Sequence, residues 1–95
     1  MMLLLTWKAN ESLMPKDPEE RKKLIVSMTG QTKKDLDDGS IKVWGISPGG
    51  GHGFSIFEGD GKALMSGTMK YTPYIKFKVK PMLSIDEYLD VLKGM

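Results

Sequence analysis

The sequence predicts an α+β domain: a four-stranded antiparallel sheet, two helices on one of its faces, and a further helix at the end of the chain. Three observations lead there. Four stretches have strand character: Met2 to Lys8, Ile41 to Ser47, His52 to Glu58 and Thr72 to Lys80. A long capped helical stretch separates the first strand from the second, and a shorter one separates the third from the fourth. Between the second and third strands stands only Ser47-Pro48-Gly49-Gly50-Gly51, a turn that no strand can absorb. The order β-α-β-β-α-β is the split βαβ arrangement, and the crossover rules make helices on one face its simplest packing.

The first strand, Met2 to Lys8, is apolar on both faces: Leu3, Leu5 and Trp7 on one, Met2 and Leu4 on the other. Such a strand belongs in the middle of a sheet covered on both sides. Asn10 to Lys16 reads as a loop whose Leu13 and Met14 cover a core edge. The first helix has a full start signal in Asp17-Pro18-Glu19-Glu20, with a cap, a proline at the first helical position and an acid at the third. Leu24, Ile25, Met28, Thr32 and Leu36 fall on one face at helical spacing, and Gly39 is the stop.

In the second strand, Ile41 and Val43 share a face with Gly45, while Lys42, Trp44 and Ile46 share the other. In the third, His52, Phe54, Ile56 and Glu58 alternate with Gly53, Ser55 and Phe57, and the short turn makes the pair a hairpin. Asp60 caps a second helix over residues 61–70, which its two glycines leave dependent on the sheet. The fourth strand alternates Ile75, Phe77 and Val79 with Tyr74, Lys76, Lys78 and Lys80; its lysines and flanking prolines suit an edge. Ser84-Ile85-Asp86-Glu87 is a complete capping box for the last helix, with Leu83 placed to staple against Tyr88.

Composition narrows the classes. The 95 residues make one domain, 1–95. With 40% hydrophobic and 27% charged residues, the chain is neither disordered nor a membrane chain. Fourteen Lys and Arg against twelve Asp and Glu leave a net charge of +2, which neither demands nor excludes an anionic partner. There is no cysteine, so disulfides, thiolate catalysis, zinc fingers and Cys-ligated clusters are excluded. A single histidine excludes a His-rich metal site, and Asp35-x-Asp37-Asp38-Gly39 lacks the later ligands of a calcium loop. No metal and no cofactor is assigned. The opening Met1 to Lys8 has no basic stretch before its apolar run, and that run stops after Leu5. It is too short for a signal-peptide core or a membrane span, so a cytoplasmic location is expected.

Two helices cover one side of the sheet. The other side still carries aliphatic and aromatic residues, more than a small domain leaves exposed. Burying about 800 Å² per partner would cover it and match a standard interface. The expectation is a two-fold homodimer packed sheet to sheet, with the terminal helix as the alternative cover.

Four stretches resemble a known family: Met2-Leu3-Leu4-Leu5-Thr6-Trp7, the run from Gly39 to Phe54 (Gly-Ser-Ile-Lys-Val-Trp-Gly-Ile-Ser-Pro-Gly-Gly-Gly-His-Gly-Phe), Tyr71-Thr72-Pro73-Tyr74-Ile75-Lys76-Phe77, and Pro81-Met82-Leu83-Ser84-Ile85-Asp86-Glu87. The family is a small one of bacterial and archaeal proteins described as a domain of unknown function. It is similar to the dimeric α+β barrel group, in which ferredoxin-like subunits pack two sheets face to face. The resemblance spans nearly the whole chain and implies that fold and a dimer. The group includes metal-free monooxygenases, lactone isomerases, haem-handling enzymes and ligand sensors, and none of their catalytic motifs maps onto this sequence residue by residue.

Candidate functional residues are few. His52 is the one histidine of the chain, the residue type best suited to general-base work near neutral pH. It follows three glycines at a strand start, so it reads either as a catalytic group at the mouth of a cleft between sheet and helices or as an exposed strand-end residue. Trp7, Trp44, Phe54, Tyr71 and Tyr74 are candidates to line an apolar ligand pocket, or else core and interface residues. Gly49-Gly50-Gly51 could offer N–H groups to an anion, but it lacks the ending of a phosphate loop and also reads as a plain turn. Ser55 has no nucleophile-elbow context. Lys76, Lys78 and Lys80 beside Tyr71 and Tyr74 have the look of a single-strand RNA surface, yet the signature motifs are absent and edge protection accounts for the lysines. A nucleic-acid partner is disfavoured. The favoured function is a homodimeric module for a small apolar or aromatic molecule, with cofactor-free chemistry near His52 if it is an enzyme. The alternatives are an interaction protein assembling through its sheet face and, behind it, a single-stranded nucleic-acid binder.

Overall fold

The computed structural model describes all of residues 1–95. Strands β1 (Met2–Ala9), β2 (Ile41–Ile46), β3 (His52–Glu58) and β4 (Ile75–Met82) form one antiparallel sheet in the order β2-β3-β1-β4. Helix α1 (Pro18–Asp37) connects β1 to β2, α2 (Gly61–Thr68) connects β3 to β4, and α3 (Ile85–Lys93) follows β4. The fold is ferredoxin-like, with the apolar β1 central and the lysine-bearing β4 at an edge. No helix is long and apolar enough to cross a membrane.

Local chemistry sets each boundary. Asp17 accepts the Glu20 amide at 3.0 Å and Pro18 opens α1. Asp60 accepts the Ala63 amide at 2.8 Å and starts α2. Ser84 and Glu87 form the reciprocal capping box of α3. Caps of this kind each satisfy helix-end donors worth about 1 kcal/mol. The β2–β3 turn works because Gly50 and Gly51 sit at φ +77° and +82°, which a residue with a Cβ avoids. Gly50 donates to the Ser47 carbonyl at 2.7 Å, and the Gly51 carbonyl accepts from Ala9 at 2.7 Å, so the loop is tied to the end of β1.

Three expectations need correction. A bulge between Ile41 and Val43 puts Ile41 on the face of Trp44 and Ile46, whereas unbroken alternation pairs it with Val43. β4 begins at Ile75 instead of Thr72, because Met69–Tyr71 form a 3₁₀ turn and Tyr74 donates back to the Tyr71 carbonyl at 2.9 Å. It also runs on through Pro81, which an edge strand tolerates where the missing N–H has no ladder partner.

The core is thin. Leu3, Leu5, Ala9, Met14 and Leu64 are the buried apolar residues, with Phe57 and Phe77 packed against Leu3, Leu5 and Leu64. Every residue of α3 is exposed, and the molecule measures 57 × 24 × 23 Å. Its radius of gyration is 15.5 Å, against roughly 12 Å for a compact domain of this length.

Candidate functional site

The helix-covered face of the sheet carries Leu3, Leu5, Trp7 and Ala9 of β1 with their cross-strand partners. Trp7 stands opposite Gly53 on β3, and Trp44 of β2 stands opposite Ser55. Strands lie about 4.8 Å apart, so the two tryptophans begin two strands from each other. A side chain at position 53 would lie between them. Gly53 has none, and the Trp7 indole crosses it with Cζ2 and Cε2 at 2.7 and 2.8 Å from where a Cβ would be. The indole thereby stacks on Trp44, with ring centroids 5.6 Å apart and planes inclined by 12°. Such a pair adds about 0.5–1.5 kcal/mol beyond the area it buries. Trp7 Nε1 is buried and has no hydrogen-bond partner.

This stack forms the floor of a cleft of about 820 Å³ between the sheet and α1 and α2. Ile46, Phe57 and Phe77 extend the floor, Ile25 and Met28 of α1 and Leu64 of α2 form the facing walls, and Met14 closes one side. The volume lies within the range of small-molecule sites, about 300–1,000 Å³. The cleft is open: Ile25 lines it and is still 41% exposed.

One end is polar. Asp35, at 6% exposure, accepts from Gln31 Nε2 at 3.1 Å, the Tyr71 hydroxyl at 3.3 Å and Lys70 Nζ at 3.5 Å. The Tyr71 oxygen also lies 3.0 Å from Thr32 Oγ1, which also reaches the Met28 carbonyl at 3.0 Å. Tyr71 donates to Asp35, and between Tyr71 and Thr32 either hydroxyl can serve as the donor. Burial pushes its phenol above the ordinary tyrosine value, and the Asp35 charge adds to that. Lys70 offsets Asp35, so the end is polar without net charge. At the mouth, beside Gly49 to Gly51, Arg21 Nη2 holds Glu11 at 2.9 Å. The third carboxylate of the lining, Glu58, is held by the Met1 ammonium at 3.1 Å. Each lining carboxylate has a cationic partner, so the cleft suits a flat apolar molecule with a neutral hydrogen-bonding group.

Of the residues singled out from sequence, the structure brings Trp7, Trp44 and Tyr71 together in the cleft, with Gly49 to Gly51 and Ser55 also in its lining. His52 is elsewhere. It pairs with Lys8, one position from the Trp7–Gly53 pair, and lies exposed on the opposite face of the sheet. Of the two readings of His52, the structure shows the exposed strand-end residue and not the cleft-mouth group, because neighbouring strand residues point to opposite faces. Phe54 shares that open face, its Cε1 lying 2.6 Å from where a Cβ of Gly45 would be. Tyr74 is half-buried ahead of β4 and is not among the cleft residues. Asp35, considered in the sequence only as part of an incomplete calcium loop, is the polar residue that this reasoning missed. A signal was present: Met28, Thr32 and Asp35 follow the i, i+4, i+7 spacing of a single helix face.

No curated protein matches the chain. A family described as a domain of unknown function, DUF3303, matches it from residue 1 to residue 95. With the whole chain spanned, this ferredoxin-like protein belongs to the DUF3303 family.

Proposed function

We propose that the chain is a homodimeric module that binds a small apolar or aromatic molecule in the cleft over the Trp7–Trp44 stack. The cleft carries this reading. Protein interiors fill to a packing density of about 0.74, whereas here a space of about 820 Å³ stands where α1 faces the sheet. A stacked aromatic floor matches a planar ligand, and the Tyr71 hydroxyl and its neighbours match a ligand hydroxyl or carbonyl. His52 lies across the sheet from this space, so the function read from the cleft is binding. Chemistry at His52 is a separate matter of the open face.

The dimer half of the proposal rests on that open face. Phe54 and Val43 are 40% and 45% exposed there, next to half-buried Leu4 and Ile56. A second copy packed sheet to sheet would bury them. The same residues favour a second reading, a protein whose face serves assembly alone, with the cleft idle.

The test uses anilinonaphthalene sulfonate as an aromatic probe. Both tryptophans of the chain belong to the cleft, so intrinsic fluorescence reports on it directly. Saturable quenching of the native chain, weakened at least tenfold by Trp44→Ala and unchanged by Phe54→Ser, is the expected result. Quenching that is absent, or lost only in Phe54→Ser, refutes the cleft reading and leaves the assembly reading standing.

A further inference from the structure

Helix α3 is well formed and nothing in its own chain covers it. An isolated helix shorter than about 12–15 residues is marginal in water, and α3 has nine. Ile85, Tyr88, Leu89 and Leu92 follow the i, i+3, i+4, i+7 pattern of a packed stripe, yet they are 43–70% exposed. Leu83-Ser84 carries the chain from the end of β4 directly into α3, and the molecule is drawn out to 57 Å.

Charge says what the stripe fits. Asp86 and Asp90 lie on one flank of α3, a turn apart, and neither forms an ion pair within the chain. On the open face of the sheet, β4 presents Lys76, Lys78 and Lys80, and these too have no ion-pair partner. Alternate strand residues recur every 6.6–6.8 Å or so, and residues four apart on a helix are separated by about 6 Å along its axis. The two acids and two of the lysines therefore share a spacing. Beside the lysines on the same face, β1 and β4 offer Met2, Leu4 and Met82 as an apolar strip. A helix about 10 Å wide covers two strands.

We infer that α3 of each copy seats on the β1–β4 half of the open sheet face of a second copy, with Asp86 and Asp90 on the lysine row and the Leu89 and Leu92 stripe on Leu4 and Met82. The inference rests on the homodimer proposed above and gives it an architecture: the β2–β3 halves, with Val43, Phe54 and Ile56, meet sheet to sheet, and an exchanged helix covers each remaining half. Neither half of the face is then left exposed. Exchange also makes α3 dependent on the partner, which fits a helix with no packing of its own.

Two charge-reversed full-length variants test this in light scattering and sedimentation. One is Asp86→Lys with Asp90→Lys; the other is Lys78→Glu with Lys80→Glu. Each alone is expected to dimerise at least tenfold more weakly than the native chain, because like charges then face each other. Mixed in equal amounts they are expected to form a heterodimer, since each helix now meets a sheet of opposite charge. Only docking onto a second copy predicts that rescue; folding back onto the same chain predicts none. A third variant, Leu89→Ala with Leu92→Ala, keeps good helix formers and removes the stripe, and it should weaken the dimer by a similar factor. Native-strength dimers in all variants overturn the exchange while leaving the sheet-to-sheet dimer intact. Weak variants without rescue on mixing overturn it as well, and a monomeric native chain removes the homodimer with it.

Discussion

Trp7 and Gly53 face each other across β1 and β3, and the indole occupies the space that any side chain at position 53 would need. The stack with Trp44, and with it the floor of the cleft, exists because that one position is bare. Gly53→Val is expected to destabilise the fold by about 2 kcal/mol, the range of an overpacked core site. Its Cβ would also meet the Gly45 carbonyl oxygen, which is backbone and cannot swing away. Chemical denaturation measures the loss, and near-ultraviolet circular dichroism should lose the signal of the coupled indoles.

Trp44→Ala removes the other half of the stack. Full burial of a tryptophan makes its truncation cost about 3–5 kcal/mol. Trp44 is half-buried, so a loss of about 2 kcal/mol is expected by the same reasoning. The Trp7 emission should shift to the red as water reaches its exposed ring face. An unshifted spectrum would mean that the two rings do not stack in solution.

Tyr71 ties α1 to the segment before β4 through Thr32 and Asp35. Tyr71→Phe should cost about 1 kcal/mol, the net worth of one hydrogen bond. Because the folded phenol titrates above the unfolded value of about 10, its neutral form supports the fold below that pH. This support is lost as pH rises through the higher folded value. Denaturation at alkaline pH should show the decline in the native protein and not in Tyr71→Phe.

The capping box makes α3 acid-sensitive. The Ser84 backbone amide, reinforced by the Ser84 side chain, holds the Glu87 carboxyl below the ordinary glutamate value. Its contribution is therefore complete above about pH 4.3 and disappears as pH falls through the lower folded value. Far-ultraviolet circular dichroism should report helix loss in that acid window, and Glu87→Gln should flatten the pH dependence.

Much of this architecture is legible in the residues, and the failures have specific causes. Capping residues act locally, so Asp17, Asp60 and Ser84 mark their helices before any packing is known. The alternation of His52 to Glu58 likewise survives folding unchanged. Which face receives the helices does not follow from one strand alone, so the sequence leaves His52 open between the cleft mouth and an exposed strand end. One bulged residue, Lys42, moved Ile41 to the face of Trp44, and bulges leave little trace in composition. The burial of Asp35 depended on Tyr71 and Lys70, 36 and 35 residues away in the chain, which come together only through tertiary contact.

The central claim, a ligand cleft floored by Trp7 and Trp44, meets its most direct test in nitrogen-resolved NMR during titration with the naphthalene probe. Both indole N–H signals and the amides of Thr32, Asp35 and Tyr71 should move together and saturate, while those of His52, Phe54 and Lys78 stay in place. Shifts confined to His52, Phe54 and Lys78, or no shifts at all, would contradict it.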